Sequence, residues 1–227
     1  MPVILYEDNH LIAVNKRISD IVVSDKTGDP AIEDDVKQYL KEKYGKPGAV
    51  FIGTVHRVDR PVSGVVLFAR TGKALARLNT MLKNQEIKRI YWAIVKNSPP
   101  NDEGTLVHYL VRNMKINKSF ACEKEVNNSK KAVLSYNIKG KSNNYYFLEI
   151  ELKTGRHHQI RAQLAKIGCP VKGDLKYGYE RSNPDGGIYL HSRSMTFIHP
   201  VKQEELTIIA PVPDDKLWDI YTKTCGE

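Results

Sequence analysis

The sequence predicts an α+β protein: a single domain over residues 1–227, on a mixed, largely antiparallel β-sheet flanked by helices. Three observations carry this. Strand-sized apolar runs follow one another along the chain, a few segments of helical periodicity are interspersed, and no repeat, low-complexity tract or linker signature divides the 227 residues. The longest apolar stretches fall far short of the roughly 20 residues that cross a bilayer. MPVILYEDNH at the N-terminus lacks a basic segment followed by a long apolar core. A soluble, cytoplasmic protein is expected. Cys122, Cys169 and Cys225 are widely spaced and odd in number, which gives neither a disulfide framework nor a CxxC zinc pattern.

Element by element, VILY (Val3 to Tyr6) and LIAVN (Leu11 to Asn15) flank the turn formers Glu7, Asp8 and Asn9 and read as paired strands. A polar loop follows. In AIEDDVKQYLKEKYG, Ile32, Val36, Tyr39, Leu40 and Tyr44 recur at helical spacing, and Gly45 supplies a stop. Gly64 to Ala69 is apolar on both faces, as a central strand must be. Thr71 then caps a helix whose Leu75, Leu78, Met81 and Leu82 form one stripe. IKRIYWAIV is a buried strand. AVLSYNI and YYFLEIELK alternate across a turn at Lys141 to Asn144, as an antiparallel pair does. TGRHHQIRAQLAKIGCP reads as a helix with the stripe Ile160, Leu164 and Ile167, stopped by Gly168 and Pro170. A Gly/Asp/Pro-rich loop, the strands in IYLHSRSMTFIHP and LTIIAP, and a short helix after Asp215 complete the chain.

Charge narrows the partners. Of the net charge of +9, residues 51 to 141 carry 17 Lys/Arg against 6 Asp/Glu, while the flanking blocks are near balance or slightly acidic. Arg112 to Lys141 alone holds eight Lys/Arg and two Glu, a basic excursion or hairpin. Such asymmetry fits an anionic partner, nucleic acid above all, because each neutralised phosphate releases condensed counterions; a solvated lysine surface gives the same count.

Several chemistries have no seat. There is no G-x-x-x-x-G-K-[ST] loop, no G-x-G-x-x-G after a strand and no G-x-S-x-G elbow. His157 and His158 are adjacent, which points them to different sides of a helix, whereas a helical zinc pair needs i, i+4 spacing. No metal and no nucleotide cofactor is expected. Carboxylate, phenol and guanidinium chemistry remains, and HRVDRPVSG (His56 to Gly64) concentrates it: Asp59 lies between Arg57 and Arg60. Locally this is either an exposed salt-bridged turn, worth at most ~1 kcal/mol, or a carboxylate set up for reaction.

HRVDRPVSG followed by VVLFART, then KRIYWAIVKN, then TGRHHQIRAQLAKIGCPVKGDLKYG, resembles the three signature blocks of the RluA-type RNA pseudouridine synthases. ILYEDNHLIAVNK resembles the family's first strand pair and IYLHSRSMTFIHP its late strand, so the resemblance runs from about Val3 to Pro211. It implies a catalytic domain with an RNA-binding cleft, converting uridine to pseudouridine in rRNA or tRNA without metal or cofactor. Asp59 matches the catalytic aspartate, attacking a flipped uridine at the sugar or at the base in a step of covalent catalysis. A nearby guanidinium keeps that carboxylate ionised. The QIR arginine, Arg161, matches the ion-pair residue and Tyr91 a base-stacking or proton-handling residue. Read alone, Tyr91 is a core tyrosine sharing a strand face with Arg89 and Ala93. Arg161, one helical turn after His157 and away from much of the apolar stripe, reads as a surface arginine.

Leu190 matches an apolar residue packed near the target base, and Arg57 one able to fill the space that the flipped base leaves. Arg60, Arg156, His157, Lys130 and Lys131 are expected to face RNA. The chain departs from the family at Val58 for leucine, at Val62 for threonine, at Gln163 for histidine, and at Lys16-Arg17-Ile18-Ser19 for Lys-Pro-x-Gly. With the catalytic pattern starting at Val3, no S4 domain is expected ahead of it. RNA is then read by the domain itself, as a monomer on a stem-loop. Two other classes stay open: a non-catalytic RNA-binding protein on the same fold, and a glycosidase pairing Asp59 with Glu149 or Glu151, although both glutamates sit on the polar face of a strand.

Overall fold

The computed structural model describes residues 1–24 and 28–226; Asp25, Lys26 and Thr27 of the expected polar loop, and Glu227, lie outside the described residues. In chain order the elements are β1 (Val3–Glu7), β2 (Leu11–Lys16), α1 (Ile32–Lys43), β3 (Gly53–Thr54), β4 (Ser63–Ala69), α2 (Gly72–Lys83) and β5 (Lys88–Val95). Then come β6 (Glu103–Asn113), β7 (Lys118–Cys122), β8 (Lys130–Lys141), β9 (Tyr146–Leu152) and α3 (Gln159–Lys166). A one-turn 3-10 helix (Leu175–Tyr177), β10 (Leu190–Ile198), β11 (Glu205–Ile209) and α4 (Lys216–Cys225) follow. The α+β expectation holds. No helix among the described residues is long and apolar enough to cross a membrane. The chain divides into two compact units, Met1–Lys88 with Ser192–Val212, and Arg89–His191 with Pro213–Glu227.

In the first unit the strand order is β1-β2-β4-β10, with β3 on β4 and β11 on β10. β1/β2, β2/β4, β3/β4 and β10/β11 pair antiparallel. Every residue of β4 is buried, as its unbroken apolar run requires. Leu11 and Ala13 of β2, Val65, Leu67 and Ala69 of β4, and Ala74 and Leu78 of α2 join Met195 and Phe197 in one core. Thr71 caps α2 as expected, its side chain accepting from the Ala74 N–H at 3.1 Å. Gly64 has φ +111°, and a Cβ there would stand 2.7 Å from the backbone nitrogen of Ser192, so only glycine lets the two backbones meet.

The second unit is a sheet ordered β5-β9-β8-β6-β7, with β5/β9, β8/β9, β6/β8 and β6/β7 antiparallel. The basic excursion is this pair of hairpins. Strand alternation and register place Tyr91, Ile150, Tyr136, Leu134, Ala132, His108 and Leu110 on one face. α3 packs on that same face, where Ala162 joins Leu110, Ala132 and Tyr177. On the opposite face α4 covers one end: the Tyr221 ring lies 4.5 Å from Trp92 and 5.0 Å from Phe147. β9 therefore buries Phe147 on that face as well as Leu148, Ile150 and Leu152 on the other.

Two expectations about α3 need correction. The helix begins at Gln159, after His158 in a left-handed conformation (φ 53°), so His157 and His158 precede it rather than splay across it. The residues from Gln159 to Leu164 are all buried, not just one stripe, because α3 is enclosed by the sheet on one side and the 174–177 segment on the other. Arg161 is accordingly 4% exposed and no surface residue.

Candidate active site

In the first unit, Val55 to Asp59 leads without regular structure into β4. Val55 and Val58 are buried, Arg57 and Arg60 exposed, and Asp59 half-buried, so the valines anchor a segment whose polar side chains face outward. His56 helps fix it: its Nε2 accepts from the Leu67 N–H of β4 at 3.1 Å, which leaves the ring proton on Nδ1. The Val62 N–H donates to the Asp59 carbonyl at 3.0 Å and closes a turn. Arg60 leans away from that turn, pairing with Asp29 at 2.7 Å where both are about half exposed. Such a pair contributes little to stability.

A buried lysine holds the turn from beneath. Lys16 ends β2 opposite Gly64 and is 1% exposed. Its ammonium donates to the carbonyls of Val62 (2.6 Å), Arg60 (3.0 Å) and Arg17 (3.0 Å). Burial lowers its pKa from 10.5 to about 8, against the opposing pull of the Asp20 and Asp59 carboxylates. Lys16 is thus a cation within electrostatic reach of Asp59 that the sequence pattern did not single out.

Ser19, where the family's turn has glycine, settles the shape of the loop after β2. It adopts φ 73° and its N–H donates to the Arg60 carbonyl at 3.1 Å. A left-handed conformation costs an L-residue roughly 1–2 kcal/mol, part of which glycine returns through its greater unfolded-state freedom. Ser19→Gly is therefore expected to stabilise the protein by about 0.5–1 kcal/mol, read as a higher urea midpoint at unchanged m-value.

In the second unit, Tyr91 (7% exposed) and α3 share a sheet face. Arg161 pairs with Asp174 through two parallel bonds, Nε to Oδ2 at 2.7 Å and Nη2 to Oδ1 at 2.9 Å. His157 and His158 stack at 3.8 Å. His157 lies 2.9 Å from Ser119 Oγ and 3.0 Å from Asn117 Oδ1, while His158 Nδ1 lies 3.0 Å from the Tyr177 hydroxyl. Leu190 is buried at the start of β10. Arg156 is exposed and reaches the Lys131 carbonyl at 3.1 Å.

Lys130 and Lys131 do not share a face. Lys130 stands opposite Leu110, on the α3 side, and Lys131 opposite Tyr109, on the other. Glu149 pairs with Lys139 at 3.1 Å and Glu151 with Lys153 at 2.5 Å, which accounts for both glutamates as half-exposed strand residues. Gln163, in place of the family's histidine, is fully buried and donates to the carbonyls of Leu106 (3.1 Å) and Ala132 (3.3 Å).

Comparison with known proteins points one way. A family model described as RNA pseudouridylate synthase matches residues 10–166. An uncharacterized RNA pseudouridine synthase of Synechocystis is 33% identical over 215 residues, covering 92% of this chain and 65% of its own length. tRNA pseudouridine synthase C of Vibrio vulnificus is 32% identical over 232 residues, covering 95% and 91%. In structure, human RNA pseudouridylate synthase domain containing 4 superposes with a TM-score of 0.79 at 20% identity, over 99% of this chain and 93% of that one.

Proposed function

Because this chain belongs to the RNA pseudouridylate synthase family, in its RluA-type branch, we propose that it isomerises specific uridines in rRNA or tRNA to pseudouridine. The observation that carries the reading is Asp59, at the family's aspartate position, on a turn whose backbone Lys16 fixes. In the isomerisation the N1–C1′ bond of uridine breaks and a C5–C1′ bond forms, C5 losing a proton and N1 gaining one. No oxidant or reductant is needed. Asp59 is the nucleophile that separates cleavage from re-attachment. Tyr91 stacks on the base or handles the proton, Arg161 supplies the guanidinium, and Leu190 packs near the base. Residues 1–227 act as one catalytic domain, a cytoplasmic monomer. The target is a stem-loop, since flipping a loop base costs less unpairing energy than flipping one from a duplex.

Transcriptome-wide pseudouridine mapping in cells with and without the gene tests this. One or a few sites in rRNA or tRNA loops should disappear, and no lost site anywhere would favour a non-catalytic RNA-binding protein. The basic hairpins make a separate prediction about recognition. Phosphate contacts position RNA without reading its sequence, so Lys130→Ala, on the face of α3 and Tyr91, should weaken binding across RNAs and reduce the log–log salt slope by about 1. Lys131→Ala, on the other face, should change neither. Equal effects from the two would refute binding on the α3 face.

A further inference from the structure

The Arg161 guanidinium lies in a built socket inside the second unit. Asp174, 1% exposed, grips Nε and Nη2 together and so fixes the plane of the group as well as its position. Against this plane stands the Tyr177 ring, its centroid 5.0 Å from the guanidinium carbon. Tyr177 is itself held twice: its hydroxyl accepts from the Ser119 N–H of β7 at 2.9 Å and meets His158 Nδ1 at 3.0 Å. The one-turn helix presents both partners, with Asp174 at its N-terminal cap and Tyr177 as its last residue. Lys118, on the same hairpin as Ser119, sits 5.1 Å from the Tyr177 ring.

A buried ion pair is a weak source of stability, because desolvation of both charges offsets most of their attraction. Its value lies in orientation. A guanidinium is a rigid plane, and with Nε and Nη2 committed to one carboxylate its Nη1 edge has a single direction. We infer that Asp174 and Tyr177 are positioning residues for Arg161, holding its guanidinium in the orientation that pseudouridine formation uses. This rests on the catalytic reading above, and it adds two residues that act through Arg161 rather than on the uridine.

The test compares wild type, Asp174→Asn, Tyr177→Phe, Arg161→Lys and the Asp174→Asn/Arg161→Lys double variant on an RNA that the wild type modifies. Single-turnover rate, RNA Kd and thermal midpoint are measured separately. Asp174→Asn should slow the reaction roughly 100-fold, the scale of a misplaced catalytic group, with Kd within about twofold of wild type. Tyr177→Phe keeps the ring and drops the hydroxyl, and should slow it roughly 3- to 10-fold at unchanged Kd. The double variant should be no slower than Arg161→Lys alone, since residues acting as a unit are not additive. Folded Asp174→Asn at wild-type rate, lost affinity in place of lost rate, or an additive double variant overturns the inference. If Asp174→Asn does not fold, Tyr177→Phe decides, and a wild-type rate there overturns it equally. A wild-type protein inactive on every rRNA and tRNA fails the catalytic reading itself, whereas active wild type with unaffected variants fails this inference alone.

Discussion

Asp59→Asn is expected to abolish pseudouridine formation, with a loss of roughly 10⁴-fold or more, as when the nucleophile of a covalent mechanism is removed. An amide cannot form the covalent intermediate and release it again. Folding should survive. Asp59 is half-buried on a turn whose fixing bonds are made by backbone carbonyls, and asparagine has its shape. RNA affinity should stay near wild type, because phosphate contacts dominate it. The check is single-turnover pseudouridine formation beside RNA binding and a melting curve. An Asp59→Asn protein that modifies RNA at the wild-type rate removes the nucleophile assignment.

Lys16→Met should slow the reaction roughly 100-fold through drift of the Asp59 turn. It should also destabilise the protein, because three backbone carbonyls lose a charged donor, each such bond contributing roughly 1.5 kcal/mol. Burial of the ammonium, which lowers its pKa from 10.5 to about 8, works against that stabilisation. The sign of the pH dependence is fixed. Between pH 8 and 10.5 the unfolded chain holds a proton at Lys16 that the native protein has lost, so this residue's contribution to stability rises with pH across that window. Activity runs the other way. A neutral amine has two N–H donors for three carbonyls, so the rate should fall above about pH 8. Lys16→Met should lack both the stability rise and that alkaline limb, and a variant retaining wild-type rate and profile would refute the role.

The strands were legible wherever a period of two or an unbroken apolar run met turn formers, as in β1, β2, β4 and β9. α2 was legible from its cap and stripe. α3 was legible as a helix from Ile160 and Leu164, but its burial all round was not, because Gln159, Arg161 and Gln163 are residues that ordinarily face solvent; its start was misplaced because a histidine in a left-handed conformation carries no sequence mark. Within the candidate site, Asp59 stands out in the sequence by the company it keeps in the chain. Lys16 does not, since lysine at the end of an apolar strand ordinarily marks solvent, and its three acceptors include two that lie over 40 residues away. Asp174 lies in the same motif block as Arg161, but their pairing depends on how the intervening chain turns back after Gly168.

The close meeting of Gly64 and Ser192 has a meaning for synthesis of the chain. Ser192 emerges 128 residues after Gly64, so β4, apolar along its length, is made long before the β10 backbone that lies against it. At roughly 5–20 residues per second, that delay is on the order of 6–25 s. Within it, once Lys88 has been made, the whole of Arg89–His191 is added as an insertion in the middle of the first unit. The nascent protein therefore carries an unfinished sheet edge on the ribosome, a surface of the kind that chaperones shield.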